Sequence, residues 1–314
     1  MTEFKNRVFG CAIVKAVNSN YNADFSGQPR TLPNGTVYAT DKAFKYSVKN
    51  YLKDVYSESE YIFYFKRLKA EFSPDDLSEA YERKFKTKLK DDKLDVIAKN
   101  LLDCIDIRLF GATFAPKGEG IKNKNVSLHG PVQVNHGVNI WKENNIFSEQ
   151  ILSPFRNPGE AGSEDKQATT LGRQSKLEEG HYLHHFSINP NNLKDILAIA
   201  SKDANSLADT DIEKLKEGMR RGVTWYDSAS KSGSENEVLV WIQLKEDAKN
   251  VLPNFNTLLE LQTEKQDRKC VYDFAELTNV LSKISGDIEN IEVFYNKENT
   301  ILLNLPDGTQ ENDL

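Results

Sequence analysis

Short apolar runs alternate with polar, turn-rich stretches along this 314-residue chain. Arg7 to Val17 is almost continuously apolar and β-branched (Val8, Phe9, Cys11, Ala12, Ile13, Val14, Val17), which predicts a buried strand. A loop follows from Asn18 to Gly35, because Asn18, Asn20, Asn22, Asp24, Gly27, Pro29, Pro33 and Asn34 all favour turns. Thr40 is placed to cap a helix opening at Asp41, its hydroxyl accepting from an orphan amide. On a wheel of about 100° per residue, Phe44, Val48, Tyr51, Leu52 and Val55 form an apolar seat. Lys42, Lys45, Lys49 and Lys53 line its edge, with no carboxylate in the row. Like charges so placed repel, and an anion lying along them would relieve the repulsion. A solvated helix face accounts for the same pattern.

Residues 57–104 read as a mostly helical insertion. Ser73-Pro74-Asp75-Asp76 predicts a helix start with Ser73 as cap, and Leu94, Ile97, Leu101, Leu102 and Ile105 repeat at helical spacing. Ile107 to Phe110 reads as a strand ending at Gly111, and His129 to Trp141 as an extended region. Residues 153–180 are poor in apolar side chains and rich in Gly and Pro, which predicts a long functional or disordered loop. Tyr182 to Ile188 is a strand stopped by Asn189-Pro190. Thr210-Asp211-Ile212-Glu213 has the form of a capping box opening a helix to about Arg221. Val238 to Leu244 reads as strand, Tyr272 to Ser285 as helix, and Ile291 to Tyr295 as strand. Helices and long insertions between strands predict an α+β or α/β chain with one core sheet.

Composition narrows the function classes. Apolar residues make up 39% and charged residues 28%, enough to bury a core and unlike a disordered chain. No run approaches the ~18 apolar residues of a membrane span, and Met1 to Lys5 shows no secretory pattern, so a cytoplasmic protein without a membrane partner is expected. The net charge is -6, but it is uneven. Residues 1–90 hold 16 Lys and Arg against 11 Asp and Glu, residues 91–180 hold 11 against 13, and residues 181–314 hold 14 against 23. A basic first third on an acidic body points to a local anion-binding face.

Familiar catalytic motifs are missing. The sequence has no P-loop, no Gly-x-Gly-x-x-Gly and no Gly-x-Ser-x-Gly. Cys11, Cys104 and Cys270 lie too far apart in sequence for a Cys-x-x-Cys zinc motif. In the run His181, His184, His185 the first and last share a strand face and the middle one points away, so three converging ligands from that run are not expected. Neither a metal nor a cofactor is expected. Asp24 has the form of a turn residue rather than a catalytic acid.

Several segments together resemble a known family. They are Asn18 to Asp24, Gln28-Pro29-Arg30, Thr40 to Lys45 with Lys49-Asn50-Tyr51, Asp106 to Gly111, and Gly130-Pro131-Val132-Gln133. Their order and spacing resemble the backbone subunit of a type I CRISPR surveillance complex (Cascade), subtype I-B, of the RAMP superfamily.

The resemblance implies an α+β fold. A modified RRM, or ferredoxin-like, palm would be formed by residues 1–56 and 105–314. Helical fingers would lie at 57–104 and a thumb loop at 153–180. It implies a non-catalytic subunit that oligomerises along a CRISPR guide RNA (crRNA) in antiviral defence. The partners implied are crRNA, target DNA paired to the guide, other copies of the chain, other Cascade subunits and a recruited nuclease-helicase.

The RNA-binding residues read from the pattern and the resemblance together are Asn18, Asn20, Arg30, Lys42, Lys45, Lys49, Arg108, Gln133, Leu171, Arg173 and Gln174. Cations would hold phosphates without reading bases, and Leu171 would pack against an unstacked base. Phe9 is the one obvious aromatic of the first strand, so base stacking across the sheet is not expected. The alternatives are a metal-dependent RNase of a type III-like effector backbone, with Asp24 as the suspect carboxylate, and an assembly protein without a nucleic-acid role.

Overall fold

The computed structural model describes residues 2–118, 120–121, 123–152 and 171–314. In chain order the elements are β1 (Val8–Ser19), β2 (Tyr38–Ala39), α1 (Asp41–Val55), α2 (Leu77–Phe85), α3 (Leu94–Leu102), α4 (Ile105–Phe110), β3 (Gly111–Phe114), β4 (Val126–His129), β5 (Val132–Val134), β6 (Gly137–Asn139), β7 (Ile146–Leu152), β8 (Leu171–Ile188), α5 (Lys194–Ile199), α6 (Asp209–Trp225), β9 (Ser234–Leu244), β10 (Glu260–Leu261), β11 (Cys270–Asp273), α7 (Ala275–Ser282), β12 (Ile288–Tyr295), β13 (Thr300–Leu303) and β14 (Thr309–Asn312).

β1 lies at the centre because it is apolar on both faces. Its even-numbered side chains, Val8, Ala12, Val14 and Ala16, enter one core, while Phe9, Cys11 and Ile13 enter a second core on the opposite face. A strand with only one apolar face could not be sandwiched in this way. β1 is antiparallel to β8 on one side and to β9 on the other. The main sheet runs β14-β12-β9-β1-β8-β6-β2, with β5 and β7 also pairing to β8. Helices α1 and α6 cover the first face. The small sheet β10-β11-β13 and helix α7 cover the second. Phe9 is therefore buried beneath the second layer, and the centre of the sheet offers no open face for stacking bases. Among the described residues no helix is long and apolar enough to cross a membrane.

Helix α1 forms as its wheel predicts. Thr40 Oγ1 accepts from the Ala43 amide, and Phe44, Val48, Tyr51 and Leu52 are buried. Val55, at the fraying end, is 42% exposed and does not join the seat. α1 packs on α6 through Gly222, where an added Cβ would lie 2.8 Å from the Ser47 carbonyl oxygen. The absent side chain is what permits so close a helix contact.

Several expectations are corrected by tertiary context. Ile107 to Phe110 is helical, in α4, because the sheet edge begins only at Gly111, whose φ of +70° breaks the helix. The chain from 57 to 76 contains little helix, and α2 is capped by Asp76, not Ser73. The helix expected at Tyr272 is a strand until Asp273, whose carboxylate accepts from the Ala275 amide and starts α7. The Thr210 box is displaced: α6 begins at Asp209, and Asp211 accepts from the Ala208 amide. Residues 171–180, expected in a loop, belong to β8; Leu171 to Leu177 pair with β7 as a ribbon, and Glu179 and Gly180 already pair with β1. The rest of that loop, 153–170, lies outside the described residues. The inserted stretch shares the first core, through Ile62, Phe63, Tyr81, Leu89 and Ile97.

His184 gives the first core a pH dependence. Its Nδ1–H donates to the Asn135 carbonyl at 3.0 Å, its Nε2 accepts from the Tyr21 hydroxyl at 3.3 Å, and its ring stacks on Phe44. Burial lowers its pKa to about 4. The unfolded chain binds a proton at about pH 6.5 that the folded chain refuses, so stability falls as the pH drops from that value towards 4. The expected loss is about 2–3 kcal/mol at a pH near 4.5. Urea unfolding at neutral and acid pH should show this loss in the wild type and a smaller one in His184→Gln. An equal acid loss in both proteins would assign it to other groups.

Candidate nucleic-acid interface

Two segments remote in sequence meet at the C-terminal end of β1. Asn18 is exposed with φ of +48°, a left-handed conformation that asparagine tolerates. Asn20 is buried, and its Nδ2 donates to the Gly27 and Ser175 carbonyls. It thereby fastens the loop to the β7–β8 ribbon. Gln174 donates from that ribbon to the Ala229 carbonyl, while Arg173 is exposed. Leu171 pairs through its backbone with Leu152, and its side chain lies outside what is described. Asn22 accepts from the amide and hydroxyl of Thr40, tying the same loop to the start of α1.

Arg30 has a buried Nε with no protein partner, and its guanidinium lies 6.0 Å from the centroid of Phe25, a fully exposed ring. Sequence reasoning missed Phe25, since one aromatic in a polar loop carries no periodic signal. An exposed ring beside a guanidinium can stack on a base. Lys231 was also missed, more than 200 residues away in sequence. Its ammonium donates to the Tyr21 carbonyl, and burial lowers its pKa to about 8.

The lysine row of α1 has carboxylate partners, Asp41 from its own first turn and Asp106 from α4. Lys45 pairs with Asp41 at 3.1 Å and Lys49 with the fully buried Asp106 at 3.0 Å. Both ammonium groups lie 5.7 Å from the centroid of Phe110. Lys53 pairs with Asp54, whereas Lys42 is exposed and has no ion pair among the described residues. Asp106 also accepts from the Phe63 and Tyr64 amides, so it organises the neighbouring loop as well as Lys49.

Gln133 is exposed on β5 and donates to the Gly130 carbonyl. Gly130 in turn packs directly on the backbone of Phe110 and Gly111. These contacts form a chain from the ribbon through the Asn20 loop and α1 to Gln133. Arg108 lies outside it. Its guanidinium is bound to both oxygens of Asp211, at 3.1 and 2.8 Å, and to the Leu102 carbonyl. Asp24 has turn geometry: Oδ1 accepts from the Ser26 amide and hydroxyl and from the Gln28 amide. The Ser26 hydroxyl contact and then the Gln28 amide hold its pKa below the usual carboxylate range.

The family model for CRISPR-associated protein Cas7 matches residues 6–280. The chain belongs to the Cas7 family. Its fold is also that of a chain in a solved "CRISPR RNA-guided surveillance complex, pre-nicking", with a TM-score of 0.54 and 11% identity over 97% of this chain and 96% of that one. A chain of a second "CRISPR RNA-guided surveillance complex" aligns over 96% of this Cas7 chain and 94% of its own length, with a TM-score of 0.48 and 12% identity. No curated protein matches this Cas7 chain in sequence.

Proposed function

We propose that this Cas7 protein is the non-catalytic backbone subunit of a type I CRISPR surveillance complex, of subtype I-B. It binds crRNA, assembles with further copies along it and presents it to target DNA. The family match over residues 6–280 carries the reading.

The topology supports it. β1, α1, β6, β8, α6 and β9 follow one another in sequence, and their strands lie in the order β9-β1-β8-β6, all antiparallel. That is the ferredoxin-like arrangement on which an RRM-type palm is built. In this reading the β7–β8 ribbon is the root of the thumb, and residues 57–104 are the fingers.

Arg30, Lys42 and Arg173 supply cations for phosphates, while Asn18, Gln133 and Gln174 border the same path. Lys45 and Lys49 contribute donors left over from their carboxylate contacts. Asn20 shapes the loop. Other Cascade subunits and a nuclease-helicase complete the set of partners, and the protein acts in the cytoplasm.

The test is to purify the chain with its companions and sequence the RNA that accompanies it. Short species flanked by repeat sequence are expected, and Asp24→Ala should leave the RNA bound and uncut, as in the wild type. A random pool of cellular RNA, or metal-dependent cleavage lost in Asp24→Ala, would overturn the proposal.

A further inference from the structure

A buried cluster beneath the ribbon has no role in the RNA path. It is formed by Glu179 and His181 on β8, Glu237 on β9, and Cys270 and Tyr272 on β11. The potential ligand atoms of Glu179, His181 and Cys270 all lie within 4.8 Å of one another. His181 and Cys270 are buried, and Glu179 is half-buried.

The imidazole is oriented from behind. Glu237 Oε2 accepts from His181 Nδ1 at 2.6 Å and from the Tyr272 hydroxyl at 2.7 Å. A carboxylate at Nδ1 orients the ring, which is the arrangement found behind metal-binding histidines, and a metal arriving at Nε2 takes the place of the proton there. Nε2 faces Glu179, 3.3 Å away. A second observation points the same way: the other oxygen of Glu237 is buried without a hydrogen-bond partner. Two carboxylates and a thiol thus converge on one imidazole, negative charge that the ammonium groups of Lys265 and Lys15 now offset.

We infer that Glu179, His181 Nε2 and Cys270 Sγ form a zinc site that clips the ribbon strand β8 to the small sheet. The donor set selects the metal: a thiolate, an imidazole nitrogen and a carboxylate suit Zn²⁺ better than Mg²⁺ or Ca²⁺. Zinc held at about 2.0–2.3 Å from its ligands needs them roughly 3.5 Å apart, so these side chains must draw in by up to about 1.3 Å. The ion enters on the Glu179 side. A cavity of about 70 Å³ lined by Trp141, Glu143, Asn145, Glu178 and Glu179 opens there, and its three carboxylates attract a cation. Lys265 now pairs with Glu179 Oε1 at 2.5 Å, and the arriving metal displaces it. Binding releases the thiol proton of Cys270 and the Nε2 proton of His181 to solvent, and Glu179 exchanges its ammonium contact for the metal.

Sequence reading dismissed the histidine run because its three members cannot converge. The partners of His181 come instead from the residue two positions earlier and from a strand almost 90 residues later.

Titration of the chelator-treated full chain with Co²⁺, under reducing conditions, tests the site. One equivalent per chain should give a thiolate-to-cobalt charge-transfer band that Zn²⁺ removes. Cys270→Ser should abolish the band, and Cys104→Ser should leave it intact. Glu179→Gln should weaken Co²⁺ binding by at least about tenfold, and Lys265→Gln should tighten it, since a competitor is lost. If Cys270→Ser does not fold, the Glu179 and Lys265 variants decide, because both side chains reach the surface. No band in the wild type, a band that survives in Cys270→Ser, or equal affinity in the Glu179 and Lys265 variants would overturn the inference.

Discussion

The triple variant Arg30→Ala/Lys42→Ala/Arg173→Ala is expected to bind single-stranded RNA on the order of 10²-fold more weakly than the wild type near physiological salt. The dependence of log affinity on log salt should flatten by about 2, because each phosphate released from a single strand removes about 0.7 from that slope. These three side chains are selected by geometry. None has an ion pair among the described residues, and Lys42 and Arg173 are exposed. The same measurement on Lys45→Ala/Lys49→Ala should show a smaller change in slope. Asp41 and Asp106 already neutralise those ammonium groups, so little counterion is released when RNA arrives. An unchanged slope in the triple variant would remove these cations from the RNA path. A larger change for Lys45 and Lys49 than for the triple variant would show that their carboxylate pairs open on binding.

The contrast between the two lysine pairs and Lys42 marks how far the sequence could be read. The wheel of α1 correctly placed its buried face, because periodicity reports which side meets a core. It could not report that Asp106, more than fifty residues away, would reach the same edge. β1 was legible as a buried strand because its run is apolar and β-branched and turn residues follow it. α4 was not, since Ile107 to Phe110 suits a helix or a strand equally, and the break at Gly111 depends on the packing of Gly130. The ribbon half of β8 was missed for a different reason. Its ladder is held by backbone bonds to β7, and only Ser175 and Leu177 betray the two-residue alternation. At the interface, residue types that favour turns or phosphates were visible in the sequence. Whether each points outward or is already bonded within the protein was not, as Asn20 and Arg108 illustrate from opposite ends of the site.

Arg108→Ala is expected to cost about 3–5 kcal/mol of folding stability while leaving the salt dependence of RNA binding by the folded fraction unchanged. Arg108 is 7% exposed, and its guanidinium joins three parts of the fold. Nε and Nη2 grip Asp211 at the start of α6, Nη1 donates to the Leu102 carbonyl at the end of α3, and Nη2 lies 3.4 Å from Glu60. Removing it strands the buried carboxylate of Asp211, whose Oδ2 still accepts from the Ala208 amide but has no other cation paired with it among the described residues. A buried charge without its counterion carries its whole desolvation cost, which exceeds the loss of the hydrogen bonds themselves. For that reason Arg108→Met combined with Asp211→Ala should recover much of the stability lost in Arg108→Ala, although both charges are gone. Urea unfolding of the two variants measures this difference, and filter binding at several salt concentrations reads the RNA contact. A stable Arg108→Ala protein whose salt slope falls by about 0.7 would instead place this arginine on a phosphate, with Asp211 serving only to hold it there.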